Sequence, residues 1–332
     1  MGSDRDIVLY HYSFSPYARR VTWYLNLRGI PYSQCSQPPV MPRPDVAALG
    51  IQYRRIPLLS IGRDVYHDTR LIIAKLEELF PGGTQISATT PDQQALERLL
   101  ESWTVDGGVF VRASQLIPTS MPLMHDEKFT KDREQYTGKS WSKEAVDKMR
   151  PEALAEMRSA FELLETTFFA DGREWISKTD GPSLADIHAA WPFHWVRGLK
   201  GALPESLISP TQFPKVFAWI ERFNQATTAA ATTAGKPQSL KGAQAATKIG
   251  AAEFAEPEGA VDEGDPLGLT KGQEVEVWPI DSGFKNRDRG PLVALNATEV
   301  VIQTKTSEGK IVRVHAPRHG FRIKAVGGEA KL

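Results

Sequence analysis

Three hydroxyl side chains, those of Tyr12, Ser13 and Ser15, cluster near the start of the chain in the segment Tyr12-Ser13-Phe14-Ser15-Pro16. A hydroxyl at the first residue of a helix lies beside backbone N–H groups that lack a helical partner and beside the positive end of the helix dipole. Such a position can stabilise an anion, and a thiolate is one such anion. Ser15 is the first candidate for this role, Ser13 the second and Tyr12 the third. The alternative is that Ser15 only caps a helix.

The surrounding sequence predicts that this segment lies at a strand-to-helix turn. Residues 7–10 are β-branched and aromatic, which is typical of a strand. Apolar residues then recur at helical spacing from Val21 until Gly29 ends the pattern. Pro16 suits the first turn of that helix, where its missing N–H would have no partner. Further strands are predicted at 32–36, 56–61 and 65–67, a short helix or loop at 45–53, and a helix at 69–80.

Length and composition exclude several classes of protein. The 332 residues, 41% of them hydrophobic, suffice for two or three globular domains. Forty basic and forty acidic residues cancel, so charge does not favour nucleic acid or an anionic membrane as a partner. The single cysteine, Cys35, excludes an internal disulfide and fits the cytoplasm. We expect no signal peptide, since residues 1–6 hold no apolar run, and no membrane span.

A change of composition near Asp92 indicates a helical region. Apolar residues recur at helical spacing in three stretches, 93–117, 151–169 and 213–223. The charged stretch 124–143 predicts a mobile flap. Ser183 and Asp186 have the spacing of a capping box, although aspartate replaces the usual Glu or Gln.

The last hundred residues change period again. Residues 226–268 are rich in small and charged side chains and predict a connector, with one helix around 240–249. Short strands follow at 273–278, 292–295, 300–304, 311–315 and 321–325, which predicts a small SH3-like barrel. His315 and His319 lie near a turn that we expect to be exposed. We expect no metal there, because no carboxylate or thiol is close in sequence.

The N-terminal pattern resembles the thioredoxin-like domain of glutathione transferases. The resemblance rests on the element order β-α-β-(α)-β-β-α with Ser15-Pro16, Ile56-Pro57 and Asp68-Thr69 at its turns, and on the Ser183–Asp186 cap, which resembles that of the family's helical domain. It implies an α/β thioredoxin-like domain over 6–82 and an all-α domain over 90–228. A linker over 229–268 and a small SH3-like β-barrel over 269–326 would follow. Ordinary members lack that barrel, which resembles an appendage of fungal transferase-like proteins.

The resemblance also implies a glutathione site. In that family the proline of the third strand is cis, its neighbour pairs with the cysteinyl backbone, and the acid–hydroxyl pair holds the γ-glutamyl carboxylate. The expected glutathione contacts are therefore Pro16, Arg19, Arg54, Arg55, Ile56, Pro57, Asp68 and Thr69, with the two adjacent arginines on the glycine carboxylate. An apolar pocket between the domains is expected to include, by position, Phe14, Trp103, Phe110, Met121, Trp191 and Trp195.

Serine before Pro16 resembles the serine side of the family's serine/cysteine division and favours conjugation, elimination or isomerisation over disulfide reduction. We therefore expect an enzyme that activates the thiolate of glutathione, its co-substrate, against an apolar electrophilic small molecule, without a metal, in detoxification or secondary metabolism. One alternative is a non-catalytic scaffold whose barrel binds a protein partner. Another is a biosynthetic enzyme that uses the fold without glutathione. Nucleic acid is not expected as a partner, and a homodimer remains open.

Overall fold

The computed structural model of the chain describes residues 6–327, so residues 1–5, on which the leader expectation depends, lie outside the described residues. The N-terminal elements follow the expected order. They are β1 Ile7–His11, α1 Pro16–Arg28, β2 Ser33–Ser36, α2 Pro44–Ala47, β3 Leu58–Ile61, β4 Asp64–His67 and α3 Thr69–Leu79. In the sheet, β1 lies between β2, which is parallel to it, and β3, which is antiparallel. This is the thioredoxin-like α/β arrangement.

Local sequence explains both ends of α1. The Ser15 hydroxyl accepts a hydrogen bond from the Ala18 backbone N–H at 3.2 Å, and Pro16 occupies the first helical position. Gly29 ends the helix in the left-handed conformation with φ 65°, which glycine adopts without a steric penalty. The strand-to-helix turn therefore forms where the sequence predicts it.

The middle of the chain is a helical domain. Its elements are α4 Pro91–Val105, α5 Val109–Ser114, a 3₁₀ turn Pro122–His125, α6 Glu127–Thr137, α7 Lys143–Leu163 with a π-helical extension Leu164–Phe168, α8 Leu184–Arg197 and α9 Pro214–Ala234. The capping box at the start of α8 is present, and Asp186 also accepts hydrogen bonds from the Ile176 N–H and the Trp219 indole. This aspartate is therefore a structural residue.

Three sequence expectations change in this domain. The helix expected over 93–117 is divided, because Gly108 adopts φ 85° between α4 and α5. The stretch expected to be a mobile flap contains α6, which Asp126 caps and whose Phe129 packs in the interior. Helix α7 begins well before Pro151, because the Ser142 hydroxyl caps it by accepting from the Ala145 N–H at 3.2 Å.

The C-terminal strands extend the N-terminal sheet. The remaining elements are β5 Gln238–Ser239, α10 Gly242–Ala251, β6 Glu274–Pro279, β7 Asp288–Leu295, β8 Glu299–Lys305, β9 Ile311–Pro317 and β10 Phe321–Ala325. All strands join one ten-stranded sheet of order β10-β6-β7-β8-β9-β4-β3-β1-β2-β5. The joint is a parallel pairing of β4 with β9, in which Val65 lies opposite Val314. Strands β6 to β10, which we call the C-terminal module, thus dock mainly on the α/β domain.

Strand β7 bends the C-terminal module into a barrel-like shape. Its first half pairs with β6 and its second half with β8, with a register shift between Leu292 and Ala294. At Gly290 a Cβ would lie 1.9 Å from the Gln303 carbonyl oxygen, so only glycine permits this close approach of two backbones. This sheet region is consistent with the expected small β-barrel.

The two faces of β1 contact different partners. Ile7 and Leu9 pack into the core that the α/β domain shares with the helices, whereas Val8 and Tyr10 pack into a second core with the C-terminal module. Because side chains alternate along a strand, both faces of this sheet are buried. Within residues 6–327, no helix combines the length and apolar character needed to cross a membrane.

Candidate functional site

A cavity of about 470 Å³ lies between the α/β domain and the helical domain. It contains many of the residues that the sequence singles out, namely Tyr12, Phe14, Ser15, Pro16, Arg54, Arg55, Ile56, Pro57, Asp68, Thr69, Phe110 and Trp195. The starts of α1 and α3 therefore face one space, although 53 positions separate Ser15 from Asp68 in the sequence numbering. This volume suits a small-molecule ligand.

Ser15 lies at the wall of the cavity and is 2% exposed. Its oxygen accepts from the Ala18 N–H, which leaves its own proton available to a ligand atom. Tyr12 lies beside it. Burial raises the pKa of Tyr12 above the ordinary value, although Arg133 and Arg43 favour the phenolate. Tyr12 therefore stays neutral near pH 7 and is a second possible hydrogen-bond donor at this position.

The start of α3 is a polar corner of the cavity. Asp68 caps the helix with φ 66° and accepts from the Arg70 N–H at 3.0 Å. The Thr69 hydroxyl accepts from Arg20 at 2.6 Å, so its own proton is free to donate into the cavity. Arg20, which is fully buried, also contacts Glu101 at 2.6 Å and His188 at 2.9 Å. Sequence spacing gives no signal for this network, because its members come from four different helices.

The segment before β3 borders the same cavity. The Ile56–Pro57 peptide bond is cis. Arg54, on the N-terminal side, is buried and its guanidinium contacts Asp132 at 2.8 Å. Arg55 contacts Asp281 and the Ser282 carbonyl of the C-terminal module. Both arginines that the sequence assigns to a ligand carboxylate thus have partners within the protein.

Aromatic and apolar side chains form the opposite wall. They include Tyr17, Phe110, Val111, Ile117, Leu123, Phe129, Trp141 and Trp195. Helix α6 and the segment after it therefore contribute to a site that the sequence did not assign to them. Additional cations, Arg43, Arg133 and Lys139, also border the cavity. The cavity thus combines an apolar wall with a positively charged end.

Some predicted site residues lie away from this lining. Trp191 is fully buried behind the wall, where its indole donates to Thr104 at 3.1 Å. Trp103 packs against Phe193, with 5.9 Å between the ring centroids. Met121 packs in a small separate core around Met124.

Ser13 and Arg19 also lie away from the lining. Ser13 is exposed, and its carbonyl accepts from the Arg19 guanidinium at 3.5 Å. Arg19 thus contacts the turn before α1. Of the three candidate donors Ser15, Ser13 and Tyr12, it is therefore Ser15 and Tyr12 that border the cavity.

A second polar cluster lies where the C-terminal module meets α3 and β4. His315 is 3% exposed, and its two ring nitrogens lie 2.5 Å from Glu299 and 2.9 Å from Asp64. The expectation of an exposed turn without nearby carboxylates is therefore wrong for His315. Glu256, Glu299 and His315 could together ligate a cation, but the Lys75 ammonium already lies among them, at 2.6 Å from Glu256 and 3.0 Å from Glu299. We call the five residues Asp64, Lys75, Glu256, Glu299 and His315 the seam cluster.

Two regions of the chain match known family models. Residues 9–84 match the profile of the Glutathione S-transferase, N-terminal domain. Residues 112–232 match a domain of unknown function, DUF7962. The chain is 25% identical over 216 residues to a probable glutathione S-transferase, GSTU6, from Oryza sativa subsp. japonica, over 63% of this chain and 80% of that protein. Over these regions the chain is therefore similar to glutathione S-transferases.

Solved structures share the fold of this chain. A GST-like protein from Pseudomonas syringae is similar over 98% of this chain and 100% of its own, with a TM-score of 0.69 and 23% identity. The β-etherase LigF from Sphingobium sp. strain SYK-6 is similar over 68% of this chain and 98% of its own, with a TM-score of 0.50 and 18% identity. The likeness to the Pseudomonas syringae protein thus extends into the C-terminal module of this chain.

Proposed function

We propose that this transferase-like protein binds glutathione in the cavity and activates its thiol with the Ser15 hydroxyl. One observation supports this above all: the N-termini of α1 and α3 border the same cavity, together with Ile56 and Pro57. In glutathione, the γ-glutamyl carboxylate would lie at the start of α3 and the cysteinyl sulfur at the start of α1. Asp68 and Thr69 would hold the γ-glutamyl carboxylate.

The chemical gain comes from lowering the pKa of the thiol. A free thiol has a pKa of about 8.5, so most of it is protonated at pH 7. A hydrogen bond from Ser15, together with the positive end of α1, favours the thiolate. Tyr12, whose hydroxyl also borders the cavity, is the alternative donor.

The apolar wall defines the class of second substrate. Phe110, Trp141 and Trp195 would hold an apolar electrophile against the sulfur, so that orientation contributes to the rate. In conjugation the sulfur forms a carbon–sulfur bond, and the leaving group departs with its electron pair. Elimination or isomerisation would start from the same thiolate. We place this activity in detoxification or secondary metabolism.

Calorimetry with glutathione and a turnover assay test the proposal. We expect glutathione to bind at sub-millimolar to millimolar concentration, and chloride to be released from 1-chloro-2,4-dinitrobenzene in its presence. Lack of binding at millimolar glutathione would overturn the proposal. Binding without turnover on a panel of aryl halides, epoxides and enones would instead favour a non-catalytic glutathione-binding scaffold.

A further inference from the structure

The loop between β6 and β7, residues 280–287, brings the C-terminal module to the edge of the cavity. Asp281 and Ser282 border the cavity directly. The next residue, Gly283, donates its N–H to the Tyr136 carbonyl of α6 at 2.8 Å. Its φ of +68° and the 3.0 Å between a Cβ built there and the Arg54 Cγ both favour glycine. The loop is thus fixed against the helical domain, and Asp281 is held at the cavity.

Arg55 and Asp281 form an asymmetric ion pair. The Arg55 side chain is 16% exposed, whereas that of Asp281 is 68% exposed. The guanidinium also donates to the Ser282 carbonyl at 2.7 Å, which holds it in place without neutralising its charge. A largely buried guanidinium needs an anion beside it, while an exposed carboxylate is hydrated easily. Asp281 can therefore leave this pair at little cost, provided that another carboxylate takes its position.

The neighbouring arginine shows the opposite arrangement. The side chains of Arg54 and Asp132 are 5% and 7% exposed, and Arg54 also donates to the Asp132 backbone carbonyl at 3.3 Å. Separating them would leave two buried charges without a partner, which is costly. Of the two arginines assigned to a ligand carboxylate, Arg55 is thus the one whose partner can be exchanged.

We propose that Asp281 is a built-in competitor of the ligand: it occupies Arg55 until the glycine carboxylate of bound glutathione displaces it. The inference rests on the proposed function, that glutathione binds in this cavity. The exchange keeps one carboxylate on Arg55 and returns Asp281 to water. Binding is then weakened by the strength of the Arg55–Asp281 pair, because a ligand must replace a contact that already exists. The C-terminal module sets the affinity of a site that two other domains build.

The test compares two ligands on the full-length protein and its variants. Glutathione and its glycine ethyl ester are titrated by calorimetry into the wild type, Asp281→Asn, Glu276→Gln and Arg55→Met. Removing the charge of Asp281, the exposed partner of Arg55, is expected to tighten glutathione binding by about three- to fivefold. The ester has no glycine carboxylate to pair with Arg55, so it should bind the wild type and Asp281→Asn equally. Glu276→Gln removes the same charge from the same module, where its partner is Arg287, and should change neither affinity.

The double variant separates this exchange from a general effect of charge. In the Arg55→Met background, Asp281→Asn should no longer tighten glutathione binding. Arg55→Gln, which also removes the charge, serves the same purpose if thermal unfolding shows that Arg55→Met is not folded. An unchanged or weaker affinity in Asp281→Asn, or an equal gain for the ester, overturns the inference while the proposed function stands. If glutathione binds to none of the proteins, the proposed function fails and the inference fails with it.

Discussion

The α/β domain meets the rest of the molecule at two interfaces that treat charge differently. At the interface with the C-terminal module, the seam cluster pairs each charge with internal partners: Lys75 with Glu256 and Glu299, and His315 with Asp64 and Glu299. At the interface with the helical domain, the starts of α1 and α3 face a cavity. Arg55, whose ion-pair partner Asp281 is exposed, faces the same cavity. At the first interface the charged groups have partners within the protein. At the second, polar groups remain that a ligand can pair with.

This difference separates a structural interface from a functional one. Buried charges are tolerated when each has a partner in good geometry, and removing one partner is costly. Hydrogen-bond donors that face a cavity await a partner from outside. The same sheet therefore supports both interfaces, and the pairing of its polar groups indicates which one binds a ligand.

Removing His315 is expected to have the largest effect. His315→Leu leaves Asp64 and Glu299 as buried carboxylates without the imidazolium, so the free energy of unfolding should fall by about 3–5 kcal/mol in urea denaturation. His319 is the matched control, because it lies four positions later and its side chain is 67% exposed. His319→Leu should hardly change stability. Equal stability of the two variants would show that the seam cluster does not hold the module in place.

At the other interface the expected loss is catalytic. Ser15→Ala removes the proposed donor to the sulfur and should lower kcat/KM for conjugation by about a hundredfold. The lost helix cap should cost only about 1 kcal/mol of stability. Tyr12→Phe and Ser13→Ala are measured alongside. A full loss in Tyr12→Phe with an active Ser15→Ala would move the donor role to the phenol.

Thr69 should show a smaller loss at the same interface. Thr69→Val keeps the shape of the side chain but removes the hydroxyl that would donate to the γ-glutamyl carboxylate, so glutathione should bind about tenfold more weakly. Thr22→Val is the control, because the Thr22 hydroxyl donates to the Arg19 carbonyl on its own helix. An unchanged dissociation constant in Thr69→Val would show that the ligand carboxylate lies elsewhere.

The smallest expected effect is a pH dependence of the seam cluster. Burial opposes a charge on His315, but the hydrogen bonds to Asp64 and Glu299 outweigh it and raise the pKa of His315 above its ordinary value of about 6.5. The stabilisation is then complete below about pH 6.5 and is lost as the pH rises through the folded-state pKa. The difference in unfolding free energy between the wild type and His315→Gln should therefore shrink from pH 6 to pH 9. A difference that grows with pH would contradict this.

Most of the fold was predictable because its signals are local. Capping and turn residues such as Ser15-Pro16, Gly29 and Asp68-Thr69 mark element ends, and those elements formed where expected. The errors in the helical domain are also local in cause. Ser142 began α7 earlier than Pro151 suggested, and a glycine divided the helix expected over 93–117. A proline can start a helix or lie within one, and its sequence position does not distinguish the two.

The sequence by itself determined which groups could act on an anion: a hydroxyl before a proline at a helix start, and an acid–hydroxyl pair at another. These depend on backbone groups a few residues away, so short-range pattern suffices. Only the tertiary structure decided which charges remain available. Arg54 pairs with the buried Asp132, and His315 pairs with Asp64 and Glu299, whereas the partner of Arg55 is the exposed Asp281. The sequence does not show these pairings, because they join residues tens to hundreds of positions apart. Whether a charged group is free to bind a ligand depends on how the chain packs, and the order of residues in the sequence does not show it.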